Sequence, residues 1–182
     1  PITKGRWEVT AFKGYDKLVE KGKIDKAKRD SSAMNLNGIS SLEELSDCDF
    51  IIEAAVEDMK MKKELLSKLE NIIAEDVIIA SNTSSLSITA ISTALNVNRE
   101  RVAGMHFFNP ANIMKLVEVD KGEFTSEKVL NTVIEISKKL GKVPVVCKDT
   151  PAFIVNRVAR AFYGEALKIL GEESLPVESI DK

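Results

Sequence analysis

The chain has 182 residues, 44% of them apolar and 30% charged, with a formal net charge of −2. That balance describes a globular protein with its own core and excludes a disordered chain, and the absence of a basic patch leaves no expectation of nucleic-acid binding. The length predicts one domain plus part of another.

Apolar runs such as "FII" and "VIIA" fall far short of the ~18 residues of a membrane span, and the N-terminus has no hydrophobic signal region, so a cytoplasmic protein without membrane contact is expected. Cys48 and Cys147 have no second cysteine or histidine at ligand spacing. Two reduced cysteines and no metal site are expected.

The first 48 residues carry a Lys-rich stretch, "KGYDKLVEKGKIDKAKRD", that predicts helix, then "MNLNGIS" as a short strand and "SSLEELS" as one or two helical turns. From residue 49 strand and helix alternate. "DFIIEAAV" (49–56) has the length and apolar content of a buried parallel strand. It opens into "EDMKMKKELLSKLENIIAED", where Met61, Leu65, Leu69 and Ile72 recur at helical spacing. "VIIAS" (77–81) is the next strand, and "NTSSLSITAISTAL" supplies cap chemistry before a shorter helix. "RVAGMHFF" (101–108) is a strand stopped by Asn109-Pro110. "KLVEV" (115–119), a helix over 125–141 ending at Gly141, and "KVPVVCKD" (142–149) follow. Thr150 as N-cap and Pro151 at the first helical position predict a long helix to Leu170 with an apolar stripe of Ile154, Val158, Phe162, Ala166 and Ile169. "PVESIDK" reads as the beginning of another helix. The pattern predicts an α/β fold with a mainly parallel sheet over 1–149, followed at 150–182 by the start of an all-helical domain.

Open parallel sheets bind ligands at the carboxyl ends of their strands. Polar clusters fall at four such places: Glu53 to Glu57, "SNTSS", His106 to Asn109, and Asn156. The lone histidine, His106, fits either a structural imidazole at a strand end or an acid–base group whose tautomer is fixed by Glu118, provided the connection between them folds back. Ser84 and Ser85 read as capping serines or as donors to a substrate oxygen; without a GxSxG elbow, a nucleophilic serine is not expected. By position alone Asn156 is a surface residue, and Glu57 and Lys62 are charges on a solvated helix face.

Taken in order, "IIEAAVED", "ASNTSSLSIT", "GMHFFNP", "MKLVEV" and "KDTPAFIVNR" resemble the L-3-hydroxyacyl-CoA dehydrogenase family, in its short bacterial form, over about residues 47–182. The resemblance implies a Rossmann-like fold and NAD-dependent oxidation of the 3-hydroxyl of an acyl-CoA, of 3-hydroxybutyryl-CoA in particular, or the reverse. It implies His106 as general base, Glu118 as its orienting carboxylate, Ser84 as the serine that holds the substrate oxygen near the nicotinamide, and Asn156 as the asparagine beside the reacting carbonyl. It further implies Glu57 and Lys62 as cofactor contacts, with Asn109 lining the same crevice, and a homodimer formed through the C-terminal domain. Lys21, with Lys17 and Lys23, is a candidate for the CoA phosphates.

The sequence departs from the family's pattern in three places. No G-x-G-x-x-G turn is present, since Gly5, Gly14 and Gly22 do not fit it, so the first strand–helix–strand unit is expected to be absent or replaced. Most of the helical domain is expected to be missing. Ala152 stands where the family has glycine after the proline. A central fragment of a normal enzyme is the expectation. The alternatives are a same-fold dehydrogenase of a non-CoA hydroxy acid and a truncated, non-catalytic module.

Overall fold

In the computed structural model, which describes residues 15–35, 37–172 and 179, contacts divide the chain into the units Pro1–Asp47 and Cys48–Lys182. In the first unit, residues 15–20 are helical. The backbone then turns through Gly22 at φ +64°, and α1 (Lys26–Ala33) starts at Asp25, whose carboxylate accepts from the Lys28 amide at 2.6 Å. The Lys-rich stretch is therefore two helical pieces rather than one. A 3₁₀ turn spans Leu42–Leu45. Residues 37–39 form no strand where a short one is predicted; Leu36, like the helix expected after Leu175 apart from residue 179, lies outside the described residues.

The second unit carries the α/β core. Its elements are β1 (Phe50–Glu53), α2 (Met59–Glu70), β2 (Ile78–Ser81), α3 (Ile88–Ser92), β3 (Val102–Gly104), β4 (His106–Phe107), β5 (Leu116–Lys121), α4 (Glu127–Lys139), β6 (Val143–Lys148) and α5 (Val155–Gly171). β1, β2 and β3 are parallel in that order, while β5 is antiparallel to β4 and parallel to β6. The predicted strand over 101–108 is thus shared. Its first half pairs with β2, its second half pairs with β5, and Met105 between them still donates to Ser81 O at 2.8 Å. One apolar core spans the join, from Ile78 and Ala80 through Ala103 and Met105 to Val117, Val119, Val129, Leu130 and Val133. Burial of each large side chain there contributes roughly 1.5–3 kcal/mol.

Two predicted helices differ from expectation. α2 buries Lys62, Leu66 and Leu69 and leaves Met61 51% exposed, so its inner face is turned by one residue from the predicted stripe. The cause is an ion pair beneath it, described below. The last helix does not start at Thr150-Pro151. Residues 151–154 form a turn in which Ala152 and Phe153 are left-handed, at φ +65° and +46°, and α5 begins at Val155 with no side-chain cap from Ile154.

Because Ala152 holds a left-handed conformation, its Cβ costs about 1–2 kcal/mol, against which glycine loses about 0.5–1 kcal/mol of backbone entropy. Ala152→Gly should therefore raise unfolding stability by about 0.5–1 kcal/mol, read as a higher urea midpoint at unchanged slope.

Candidate active site

β4 and β5 pair with His106 opposite Glu118, which places both side chains on one face of the sheet. The fold-back that the spacing permits is present: His106 Nδ1 lies 2.7 Å from Glu118 Oε2, with both residues buried. The other carboxylate oxygen, Oε1, accepts from the amides of Ile154 at 3.0 Å and Val155 at 2.8 Å. These are the unpaired donors at the start of α5, so Glu118 caps that helix from a neighbouring strand and benefits from its positive end. Phe108 and Phe153 enclose the imidazole, with ring centroids 4.6 and 5.9 Å from it.

A second carboxylate organises the 82–86 turn. Glu57 Oε1 accepts from Thr83 Oγ1 at 2.6 Å, Ser84 N at 2.8 Å and Ser85 N at 3.2 Å. Burial opposes its ionisation, but the bonds from Thr83 and Ser84, the Lys62 ammonium and Ser85 N outweigh it and hold the carboxyl below its ordinary range. Ser84 O accepts from Asn156 Nδ2 at 3.2 Å, and Asn82 Oδ1 accepts from Phe107 N at 2.8 Å. Glu57, Ser84, Asn156, Glu118 and His106 are in this way tied together at one end of the sheet. Ser84 and Ser85 do not cap α3. Ser87 does, donating in turn to Asp149, whose carboxylate also takes the amides of Ile88 and Thr89 at 2.8 Å each.

Lys62 departs from the reading as a solvated surface charge. Its side chain is 1% exposed, and its ammonium lies 2.8 and 3.0 Å from the two oxygens of buried Glu53, which also accepts from Ser81 Oγ at 2.6 Å. Its Nζ stands 3.5 Å from Glu57 Oε2. Lys62 therefore braces the carboxylates at the ends of β1 and α2 from within the core. Asn109 is exposed just beyond β4, and Lys21 belongs to the first unit.

Sequence reasoning placed Glu53 in a strand-end cluster without its ion pair to Lys62, and missed Asp149 and Asp120. Asp120 is fully buried two residues after Glu118, and neither of its oxygens meets a hydrogen-bond donor. Burial, then the Glu118 charge, push its carboxyl up to about 8; the Cys147 thiol opposite eases this slightly without a geometric hydrogen bond, and Asp149 adds to it. The same burial, with Asp120 and Glu118 beside it, pushes the Cys147 thiol up to about 12. A carboxylate in the middle of the apolar alternation was the available signal.

Parallel strands with a bonded polar cluster at their carboxyl ends and a buried His106–Glu118 contact have the form of an α/β nucleotide-binding domain. The family model "3-hydroxyacyl-CoA dehydrogenase, NAD binding domain" matches residues 3–150, and the chain belongs to that family, whose cofactor is NAD. The likeness thus begins well before residue 47, with residues 3–46 inside the family match. The chain is 44% identical over 170 residues to the 3-hydroxybutyryl-CoA dehydrogenase of Clostridioides difficile, covering 93% of this chain and 60% of that protein. It is 48% identical over 133 residues to the human mitochondrial hydroxyacyl-coenzyme A dehydrogenase, covering 73% and 42%. The crystal structure of (S)-3-hydroxybutyryl-CoA dehydrogenase PaaH1 from Ralstonia eutropha superposes with a TM-score of 0.94 at 37% identity, over 98% of this chain and 64% of that one. The chain therefore spans 60% and 42% of the length of these two curated relatives. Among the described residues no helix is long and apolar enough to cross a membrane.

The polar groups around the 82–86 turn have the chemistry to hydrogen-bond such a cofactor: Glu57 is an ionised acceptor for hydroxyls, and Ser84 presents an exposed hydroxyl beside it.

Removing only the Lys62 ammonium leaves the buried Glu53 without a counter-charge, so Lys62→Met should lower unfolding stability by about 3–5 kcal/mol, with most of it recovered in the double variant Lys62→Met/Glu53→Gln. The raised carboxyl of Asp120 has the opposite sense to an ion-paired one. The folded state keeps a proton that the unfolded chain gives up near pH 4, so stability is lost as pH rises from about 4 through about 8. Thermal melts of Asp120→Asn should show a flatter pH dependence across that window than the parent chain.

Proposed function

We propose that this chain is the catalytic core of an NAD-dependent dehydrogenase that oxidises L-3-hydroxyacyl-CoA, with 3-hydroxybutyryl-CoA as the leading substrate, or reduces the corresponding 3-ketoacyl-CoA. The observation that carries this reading is the buried 2.7 Å contact between His106 Nδ1 and Glu118 Oε2, at the same sheet end as the bonded Ser84 and Asn156. The names of the relatives support the acyl-CoA substrate class.

With Nδ1–H donating to Glu118, the lone pair of His106 rests on Nε2, which takes the proton of the substrate hydroxyl. The hydride acceptor is supplied by the nicotinamide when the cofactor is bound. Glu118 stabilises the imidazolium that forms, and the amides of Ile154 and Val155 fix the carboxylate so that the ring does not swing. Ser84 Oγ donates to the substrate oxygen, and the Asn156 amide orients the carbonyl carbon beside it. In the reducing direction the imidazolium returns its proton to that oxygen. Glu57 serves the cofactor side of the turn, with Lys62 acting through it, and Asn109 lines the same crevice. Lys21 remains a candidate for the CoA phosphates. The exposed apolar residues Val158, Phe162 and Leu167 of α5 support a domain boundary at 149–150, with α5 opening a helical domain through which the full-length protein pairs. A cytoplasmic enzyme fits this assignment.

His106→Gln in the full-length protein should lower kcat for acetoacetyl-CoA-dependent NADH oxidation by about 10²- to 10⁴-fold with an unchanged circular dichroism spectrum. Near-normal turnover in that variant would remove the acid–base assignment. Inactivity of the parent on acyl-CoA substrates, with activity on a free hydroxy acid, would move the substrate class.

A further inference from the structure

We propose that Asp120 is a positioning residue for the His106–Glu118 pair, an acid one step along β5 whose charge sets how firmly the histidine ring holds its proton. The proposal rests on the reading of His106 as the acid–base group. Carrying the antiparallel register His106 to Glu118 two residues further sets Gly104 opposite Asp120. The contact agrees, since a Cβ on Gly104 would stand 2.6 Å from both Cβ and Oδ2 of Asp120. Gly104 pairs in turn with Ser81, Ser81 with Glu53, and Asp120 with Cys147. Glu53, Ser81, Gly104, Asp120 and Cys147 thus form one row across a face of the sheet, all of them buried, and His106 with Glu118 forms the next row on that face. Glycine at 104 is what leaves room for the carboxyl, because any side chain there would occupy its place.

The groups facing Asp120 are few. Glu118 lies on its own strand, Cys147 on β6 and Asp149 just beyond β6, while β3 contributes the uncharged Gly104. No donor among the described residues meets either oxygen in hydrogen-bond geometry, and burial with the Glu118 charge outweighs the Cys147 thiol. Diagonal neighbours on adjacent antiparallel strands are about 7–8 Å apart. A negative charge appearing at Asp120 therefore stabilises the imidazolium form of His106 by a factor on the order of ten across a partly desolvated interior.

The 182-residue chain contains a single histidine, so its ring carbon–proton NMR signal reads this pair without assignment and without turnover. The parent chain should show an inflexion near pH 8 as Asp120 ionises, absent from Asp120→Asn and from Asp120→Val, which keeps a strand-compatible apolar side chain should the amide fold poorly. In the full-length protein, acetoacetyl-CoA reduction at pH 9 should be on the order of tenfold faster in the parent than in Asp120→Asn, with the two equal near pH 6.5. Superimposable ring titrations for all three proteins would overturn the proposal. A ring signal coupled to Asp120 in a protein inactive on every acyl-CoA would instead overturn the function and leave the coupling standing.

Discussion

The Glu118 carboxylate joins two parts of the fold through one side chain. One oxygen meets His106 and the other receives the amides of Ile154 and Val155 at the start of α5. A charge-assisted hydrogen bond of this kind is worth roughly 1.5–3 kcal/mol, and a buried carboxylate left without partners would cost more than it returns. The three bonds are therefore mutually required. They set the angle of the imidazole, the start of the helix and, because Asn156 lies in its first turn, the contact between that helix and Ser84.

The same device recurs at three turns. Glu57 gathers the amides of the 82–86 turn, Asp149 gathers those at the start of α3, and Glu118 gathers those at the start of α5. Each turn has backbone N–H groups that helix geometry leaves unpaired, and each receives a carboxylate from elsewhere in the chain. Rigid turns at the mouth of a site follow from that arrangement, since moving one would strip a charge of its partners. Lys62 performs the complementary task from below, as a buried cation shared by Glu53 and Glu57. Asp120 stands outside this scheme. It is the carboxyl in the row without a donor.

Much of the fold was legible because it follows from local pattern. The order of strands and helices from residue 49 and the end of α4 at the left-handed Gly141 rest on side-chain period and on residues with fixed conformational preferences. What was not legible depended on distant partners. Met61 reads as core and Lys62 as surface until Glu53 is placed beneath α2, and then the helix turns by a residue. Thr150-Pro151 reads as a helix start until Glu118 offers a better cap four residues later and the intervening turn takes left-handed angles at Ala152 and Phe153.

For the site, the residue types and their motifs were sufficient to single out His106, Glu118, Ser84 and Asn156, because an imidazole, a carboxylate, a hydroxyl and an amide at strand ends are the groups that such chemistry needs. By itself the sequence determined those identities, the alternation of elements and membership of the family, since all three are properties of order along the chain. Only the tertiary structure decided that His106 and Glu118 touch, that Lys62 faces inward and that Asp120 lies unpartnered beside Gly104. Those facts depend on strand register, and register is chosen by which buried charges and side-chain volumes can coexist across neighbouring strands.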